Sequence, residues 1–180
     1  MVRRSVSFFV TMSGAMVFAL VLTSFMPDNT MLNDDNIRMF FIARSKNANL
    51  VCYDLNIDKN GKVNSEEPLK VYWINKTDHM GERSDLNYFQ KKMAYGYNSK
   101  MTGKGIFEIS LVAFQARKVI LERDQKGKYR GRIVINGKPA ALSKIFVQAK
   151  PENSMKVSWV ELTGIGLEDG KIVTERITPD

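Results

Sequence analysis

Two hydrophobic rhythms divide the chain. From Ser5 to Met26 there is no charged residue, and Phe8-Phe9-Val10 and Ala15 to Leu22 are strongly apolar. From about Ile37 onward apolar side chains recur at every second position, the period of a half-buried strand. Val51, Tyr53 and Leu55 share one face against Leu50, Cys52 and Asp54; Phe107, Ile109, Leu111 and Ala113 do the same against Glu108 and Ser110. Further strands are expected at Met39 to Ser45, Lys70 to Asn75, Arg117 to Arg123, Tyr129 to Ile135, Ala140 to Lys150, Lys156 to Thr163 and Lys171 to Ile177. Turn clusters punctuate them: Asp58 to Gly61, Asp124 to Gly127, Asn136-Gly137 and Glu168 to Gly170. Asn136-Gly137 is the strongest hairpin signal, because both residues tolerate positive φ.

One stretch breaks the alternation. Ser84 is a good N-cap, Asp85 suits the first turn, and Gly96 can end a helix, so the spacing predicts one between them. Leu86, Phe89, Met93 and Tyr97 recur at helical spacing and are expected to face the core. Tyr88, Lys91, Lys92 and Tyr95 form the opposite stripe. They are candidate binding residues, since tyrosine supplies contact area and lysine attracts an anionic partner. Eight or nine strands with short connections and one helix predict a mainly β fold: an antiparallel barrel or a two-sheet sandwich. A parallel α/β fold is disfavoured, because helices do not alternate with the strands.

The apolar N-terminal run changes the expected location. Arg3 and Arg4 precede it, the layout of a secretory signal peptide. The run is also long enough to span a bilayer, which takes about 20 apolar residues. Residues 1–26 therefore read as a signal peptide or an N-terminal apolar export helix retained as a membrane anchor through residues 5–26. Both place the remainder in the periplasm or cell envelope. Residues 27–36 are polar, carry Asp28, Asp34 and Asp35, and read as a linker to a single domain over 37–180.

With 180 residues, 44% hydrophobic and 26% charged, the chain can bury a core without a staple, and its one cysteine forms no intramolecular disulfide. The net charge of +8 favours polyanions. Arg130 and Arg132 share a strand face near Lys126 and Lys128, a second candidate site. Export argues against nucleic acid there and for an anionic lipid headgroup or envelope polymer. One histidine and one cysteine exclude a His/Cys zinc site, which needs three or four such ligands.

Other constellations are weaker. Asn56 to Glu67 resembles an EF-hand loop, but Asn56 replaces the leading acid, Lys62 adds positive charge, and strands flank it where helices are needed. A hairpin-type turn with no structural calcium is expected. His79 beside Asp78 reads as an exposed loop pair, and Ser84, Ser110 and Ser143 lack a nucleophile elbow. Cys52 reads as a packed thiol. Glu108 and Glu161 would be the carboxylates of a glycosidase-like pair.

FFIARSKNAN at Phe40–Asn49, KVYWI at Lys70–Ile74, QKKMAYG at Gln90–Gly96 and INGKPA at Ile135–Ala140 resemble, in this order, the family called domain of unknown function 4833. That family occurs chiefly in Gram-negative bacteria of the Bacteroides type. The resemblance runs from about Ile37 onward. It implies an exported or envelope protein and brings no activity or site residues.

The expectation is thus a non-enzymatic envelope protein that binds an anionic envelope component or an apolar small ligand, with no catalytic residue, metal or cofactor assigned. An exported carboxylate-dependent hydrolase and a structural or assembly factor of the envelope are the alternatives.

Overall fold

A computed structural model of the chain describes residues 37–179. The expected export segment and linker lie outside the described residues. The fold is mainly β, with eleven strands and one short helix. In chain order the strands are β1 (Arg38–Arg44), β2 (Asn47–Leu55), β3 (Leu69–Ile74), β4 (Arg83–Asp85), β5 (Tyr97–Gly103), β6 (Ile106–Leu111), β7 (Phe114–Arg123), β8 (Tyr129–Ile135), β9 (Lys138–Ala149), β10 (Val157–Gly166) and β11 (Ile172–Ile177).

The count exceeds the eight or nine strands expected, and the two missed ones have a common reason. β4 is three exposed polar or charged residues, and β5 is an edge strand with no fully buried side chain. Neither carries an apolar alternation. The long strand β9 organises the rest. One of its edges pairs with β8 over Lys138 to Ala141 and then, in parallel, with β1 over Lys144 to Val147. Its other edge carries β10, which carries β11. Two wings therefore leave β9: β1-β2-β3-β4 and β8-β7-β6-β5. They curl over one core as a half-barrel, so the sheet is not the purely antiparallel meander that the short connections suggested.

The core shows the curl directly. Phe40, Val51, Tyr53 and Leu69 from one wing are buried in one cluster with Phe107, Ile109, Leu121 and Ile135 from the other. Phe40 stacks on Tyr53 with ring centroids 4.4 Å apart. Arg38 and Tyr72 both bond the buried Asp54 carboxylate, which ties β1, β2 and β3 together on the outer face. Asn136 and Gly137 both take positive φ, as the hairpin between β8 and β9 requires.

The helix departs most from expectation. Ser84 and Asp85 lie in β4, opposite Trp73 and Tyr72, and so cannot start it. Asn87 is the cap: its Oδ1 accepts from the Gln90 amide at 2.8 Å, and the Gln90 side chain accepts from the Asn87 amide at 3.0 Å. This reciprocal pair satisfies two of the first-turn donors. α1 (Tyr88–Gln90) then widens into a π-helical turn, Lys91–Tyr95, closed by a 2.8 Å bond from the Gly96 amide to the Lys91 carbonyl. A Cβ at position 96 would lie 2.1 Å from that oxygen, so the turn needs glycine there.

The later start and wider turn rotate the expected stripes. Phe89 and Met93 are 72% and 62% exposed and do not reach the core. Leu86 is buried but precedes the helix, and Tyr97 belongs to β5. Tyr95, assigned to the outer stripe, turns inward. Its ring meets Trp73 edge-on at 5.1 Å, and its carbonyl accepts from the Tyr53 hydroxyl at 2.7 Å.

Candidate functional site

The inside of the curl is filled by core side chains, so the larger concavities lie outside. One groove of about 600 Å³ runs between the helical turn and the space separating β3 from β5. Tyr88, Lys91 and Lys92 line one side, Glu66 and Glu67 another, and Val71, Tyr97 and Val112 supply apolar surface. Asn98, Ser99 and Gln115 add hydrogen-bonding groups. Three of the four residues expected to form a binding stripe thus reach one groove. Tyr95 does not, because it is committed to Trp73 and Tyr53.

The local sequence explains the arrangement. The capping box fixes where the helix begins, and Trp73 Nε1 donates to the Gln90 side chain at 3.4 Å, which holds the turn against β3. Across the groove, Tyr97 extends from β5 to β3. Its hydroxyl accepts from the Leu69 amide at 2.9 Å and donates to the Leu69 carbonyl at 2.7 Å. Burial pushes the Tyr97 phenol up, so the hydroxyl stays protonated and keeps donating. Among the described residues no acid forms an ion pair with Lys91 or Lys92; the Lys92 ammonium lies 5.6 Å from the Tyr88 ring. Two ammonium groups without an ion-pair partner among the described residues thus stand beside an exposed ring, in a groove that Glu66 and Glu67 also line.

A smaller groove of about 420 Å³ continues along β3 and shares Glu67, Val71 and Lys91 with the first. Nothing in the sequence pattern pointed to Glu66 and Glu67 as groove residues, since they sit in an irregular segment before β3. Their charge in a turn-rich stretch was the available signal.

The second candidate pair, Arg130 and Arg132, lines another groove of about 710 Å³ with Lys126, Ile165 and Leu167. Its two guanidinium charges are answered locally, whereas Lys126 has no ion-pair partner among the described residues. Arg130 pairs with Asp124 at 3.2 Å and Arg132 with Glu122 at 2.5 Å. Arg123 donates to the Gly127 carbonyl at 2.8 Å and lies over the Tyr129 ring at 4.6 Å. Each carboxylate takes the Nε–H of its arginine and offsets the charge that the guanidinium offers a ligand, while the Nη donors stay open.

The remaining candidates do not assemble into a catalytic centre. Glu108 on β6 and Glu161 on β10 are four strands apart in the ladder, about 19 Å at the usual strand spacing. Both sit between core-facing neighbours, on outer faces that diverge as a sheet curls. Glu161 is also paired with Arg176 at 3.0 Å. His79 is exposed and faces Glu82 at 3.7 Å, not Asp78. Ser84 is exposed in β4, Ser110 accepts from Lys118 at 2.8 Å, and Ser143 donates to the Thr163 carbonyl at 3.0 Å. Cys52 is fully buried, and burial pushes its thiol up to about 11.

The EF-hand-like loop is a hairpin turn. Asp58 Oδ1 accepts from the Asn60 and Lys62 amides, both at 2.9 Å, and those bonds hold its carboxyl below the usual range, that from Lys62 first. Asp124 makes the same pair of bonds, to Lys126 and Lys128, both at 2.9 Å. Gly61 and Gly127 each take positive φ in these two equivalent turns.

The family model described as Domain of unknown function (DUF4833) matches residues 40–176. No curated protein and no solved structure matches the chain.

Proposed function

The chain belongs to the domain of unknown function 4833 family, and we propose that it is a non-enzymatic binding domain of the cell envelope. The export reading rests on Arg3 and Arg4 ahead of the uncharged run from Ser5 to Met26, which acts as a signal peptide or as an anchor. The domain holds an anionic group of an envelope component in the groove beside the helical turn. The observation that carries this reading is the pair Lys91 and Lys92, exposed and without an ion-pair partner among the described residues, at the mouth of that groove. The other basic groove is a poorer candidate, because its guanidinium groups are paired. The packed interior of the curl supports a surface groove over an apolar ligand held inside a barrel. The helical turn fills the space between β3 and β5, and with it the half-barrel works as a nearly closed barrel.

Fractionation of cells expressing the full chain, with N-terminal sequencing, tests the location. Recovery of the intact chain from the soluble cytoplasm refutes export. Titration with inorganic phosphate, followed by backbone amide NMR, tests the groove. Saturable shifts are expected at Lys91, Lys92, Asn98 and Ser99 and are lost in Lys91→Glu/Lys92→Glu. Shifts confined to Arg130 and Arg132, or no saturable shifts, refute this site.

A further inference from the structure

We propose that the helical turn is an interfacial membrane foot: Phe89 and Met93 enter an anionic lipid surface while Lys91 and Lys92 meet its phosphate groups. The proposal rests on the envelope location argued above and names the component that the lysines hold.

The turn is unusual for a part of the fold with no apolar work to do outside. Tyr88, Phe89 and Met93 are all large and exposed, at 74%, 72% and 62%, within six consecutive residues. Exposed apolar side chains scattered singly need no explanation, but a contiguous group on one short element marks an interaction surface. These side chains are not outward through failure of the fold. The inward side of the same turn is fully engaged, with Gln90 on Trp73, Tyr95 on Trp73 and Tyr53, and Gly96 closing on Lys91. The cap and the π-turn therefore hold Phe89 and Met93 in solvent.

The composition of the patch selects the occupant. Aromatic and long apolar side chains interleaved with lysine are what a bilayer interface takes: rings at headgroup depth, ammonium groups at the phosphates. A basic segment is drawn to an anionic leaflet through each lysine, and two lysines with two apolar side chains give reversible attachment. The chain outside the described residues agrees. The uncharged run ends at Met26, and the eleven residues 27–37 separate it from β1. Fully extended, eleven residues span at most about 40 Å. A retained run would therefore keep the foot within reach of the surface in which the run is embedded, and a weak foot then suffices to orient the domain. A protein partner would equally accept the apolar side chains, but the unpaired lysines favour the anionic surface.

The test uses the full chain in vesicles, with an environment-sensitive nitrobenzoxadiazole probe attached through Phe89→Cys or, as a control, Met155→Cys in the exposed β9–β10 turn. Cys52 is buried, with its thiol pushed up to about 11, so labelling at neutral pH goes to the introduced thiol. In phosphatidylcholine vesicles with about one-third phosphatidylglycerol, emission at position 89 should shift blue and brighten several-fold, while position 155 stays water-like. Adding Lys91→Glu/Lys92→Glu should abolish the response at 89 without moving the thermal midpoint. Three results overturn the proposal: water-like emission at 89, an equal response at 155, or an equal response in phosphatidylcholine alone. Phosphate titrating Lys91 and Lys92 in solution while position 89 stays water-like would leave the groove standing and remove only the foot.

Discussion

Tyr97→Phe isolates the contact that joins the two wings across the open side of the half-barrel. The substitution removes one oxygen and leaves the packing of the ring. Two bonds disappear, the Leu69 amide to the hydroxyl at 2.9 Å and the hydroxyl to the Leu69 carbonyl at 2.7 Å. A neutral intramolecular hydrogen bond contributes a net of about 0.5–1.5 kcal/mol, so two give about 1–3 kcal/mol. Leu69 is buried at 1% exposure, so water does not replace the lost partner of its backbone groups, which places the expected cost in the upper half, about 2–3 kcal/mol. At about 2–4 °C per kcal/mol for a domain of this size, the midpoint should fall by about 4–12 °C. Urea unfolding gives the free energy, and hydrogen exchange gives the location: Leu69 should lose protection while Phe107 and Ile109 in the core keep theirs. An unchanged midpoint together with wild-type exchange at Leu69 would refute the claim that this hydroxyl closes the gap.

Phe89→Ala should change stability by no more than about 0.5 kcal/mol, as expected of an exposed site, whereas Phe107→Ala, at 1% exposure, should cost about 3–5 kcal/mol; equal costs in urea titrations would show that the turn is packed after all. Gly164→Ala places a Cβ 2.7 Å from the Ala141 carbonyl oxygen and 2.8 Å from Ile135 Cδ1. The β9–β10 pair must shift, and a loss of about 1–3 kcal/mol is expected, so a neutral or raised midpoint would count against this register. Glu175 accepts from Arg117 at 2.5 and 2.6 Å and from the Asn136 amide at 2.5 Å, and these partners, Arg117 first, lower its pKa from the ordinary 4.5 to about 2. A carboxyl depressed in the folded state contributes stability above its unfolded pKa and loses it as pH falls from about 4.5 towards 2. Glu175→Gln should flatten the stability profile in that window, and an identical profile would exclude the carboxyl as its source.

Local chemistry was legible wherever the chain decides its conformation within a few residues. Val51, Tyr53 and Leu55 alternate in the sequence and are buried in β2; Asn136-Gly137 turns where its φ tolerance said it would. The parallel pairing of β1 with β9 joins residues about a hundred positions apart, and no local pattern encodes it. The helix shows a sharper limit. Ser84 and Asp85 satisfy the rules for a helix start, but pairing with Trp73 and Tyr72 takes them into β4, and Asn87 with Gln90 offers a capping box three residues on. The spacing of Leu86, Phe89 and Met93 then describes a face of a helix that does not form in that register. For the site, the sequence placed Tyr88, Lys91 and Lys92 together because they are neighbours along one element. It could not show that Arg130 and Arg132 are neutralised by Asp124 and Glu122, since those pairs form across a turn and between strands.

The helical turn also explains why the sheet stops short of closing. β4 and β5 end the two wings, and the segment between them is α1 with its π-turn. For β5 to pair with β3, it would need the outward edge of β3, and that edge is already occupied. Tyr97 takes the backbone groups of Leu69, and β4 takes those of Trp73. Between these positions only Val71 remains, in a groove flanked by Glu67 and Lys91. An open edge one residue long, rimmed by charge, is a poor template for pairing with another chain. Closure falls instead to side chains: Gln90 and Tyr95 against Trp73, and Tyr53 against the Tyr95 carbonyl. One side of the turn thereby does the work of a missing strand pair, and its opposite side is left without a structural task. Tyr95→Ala should therefore loosen the wings and lower the midpoint, whereas Tyr88→Ala should leave it unchanged and weaken only what the outer side binds. If both substitutions lower the midpoint equally, the turn has no free side, and the binding role assigned to it fails with that result.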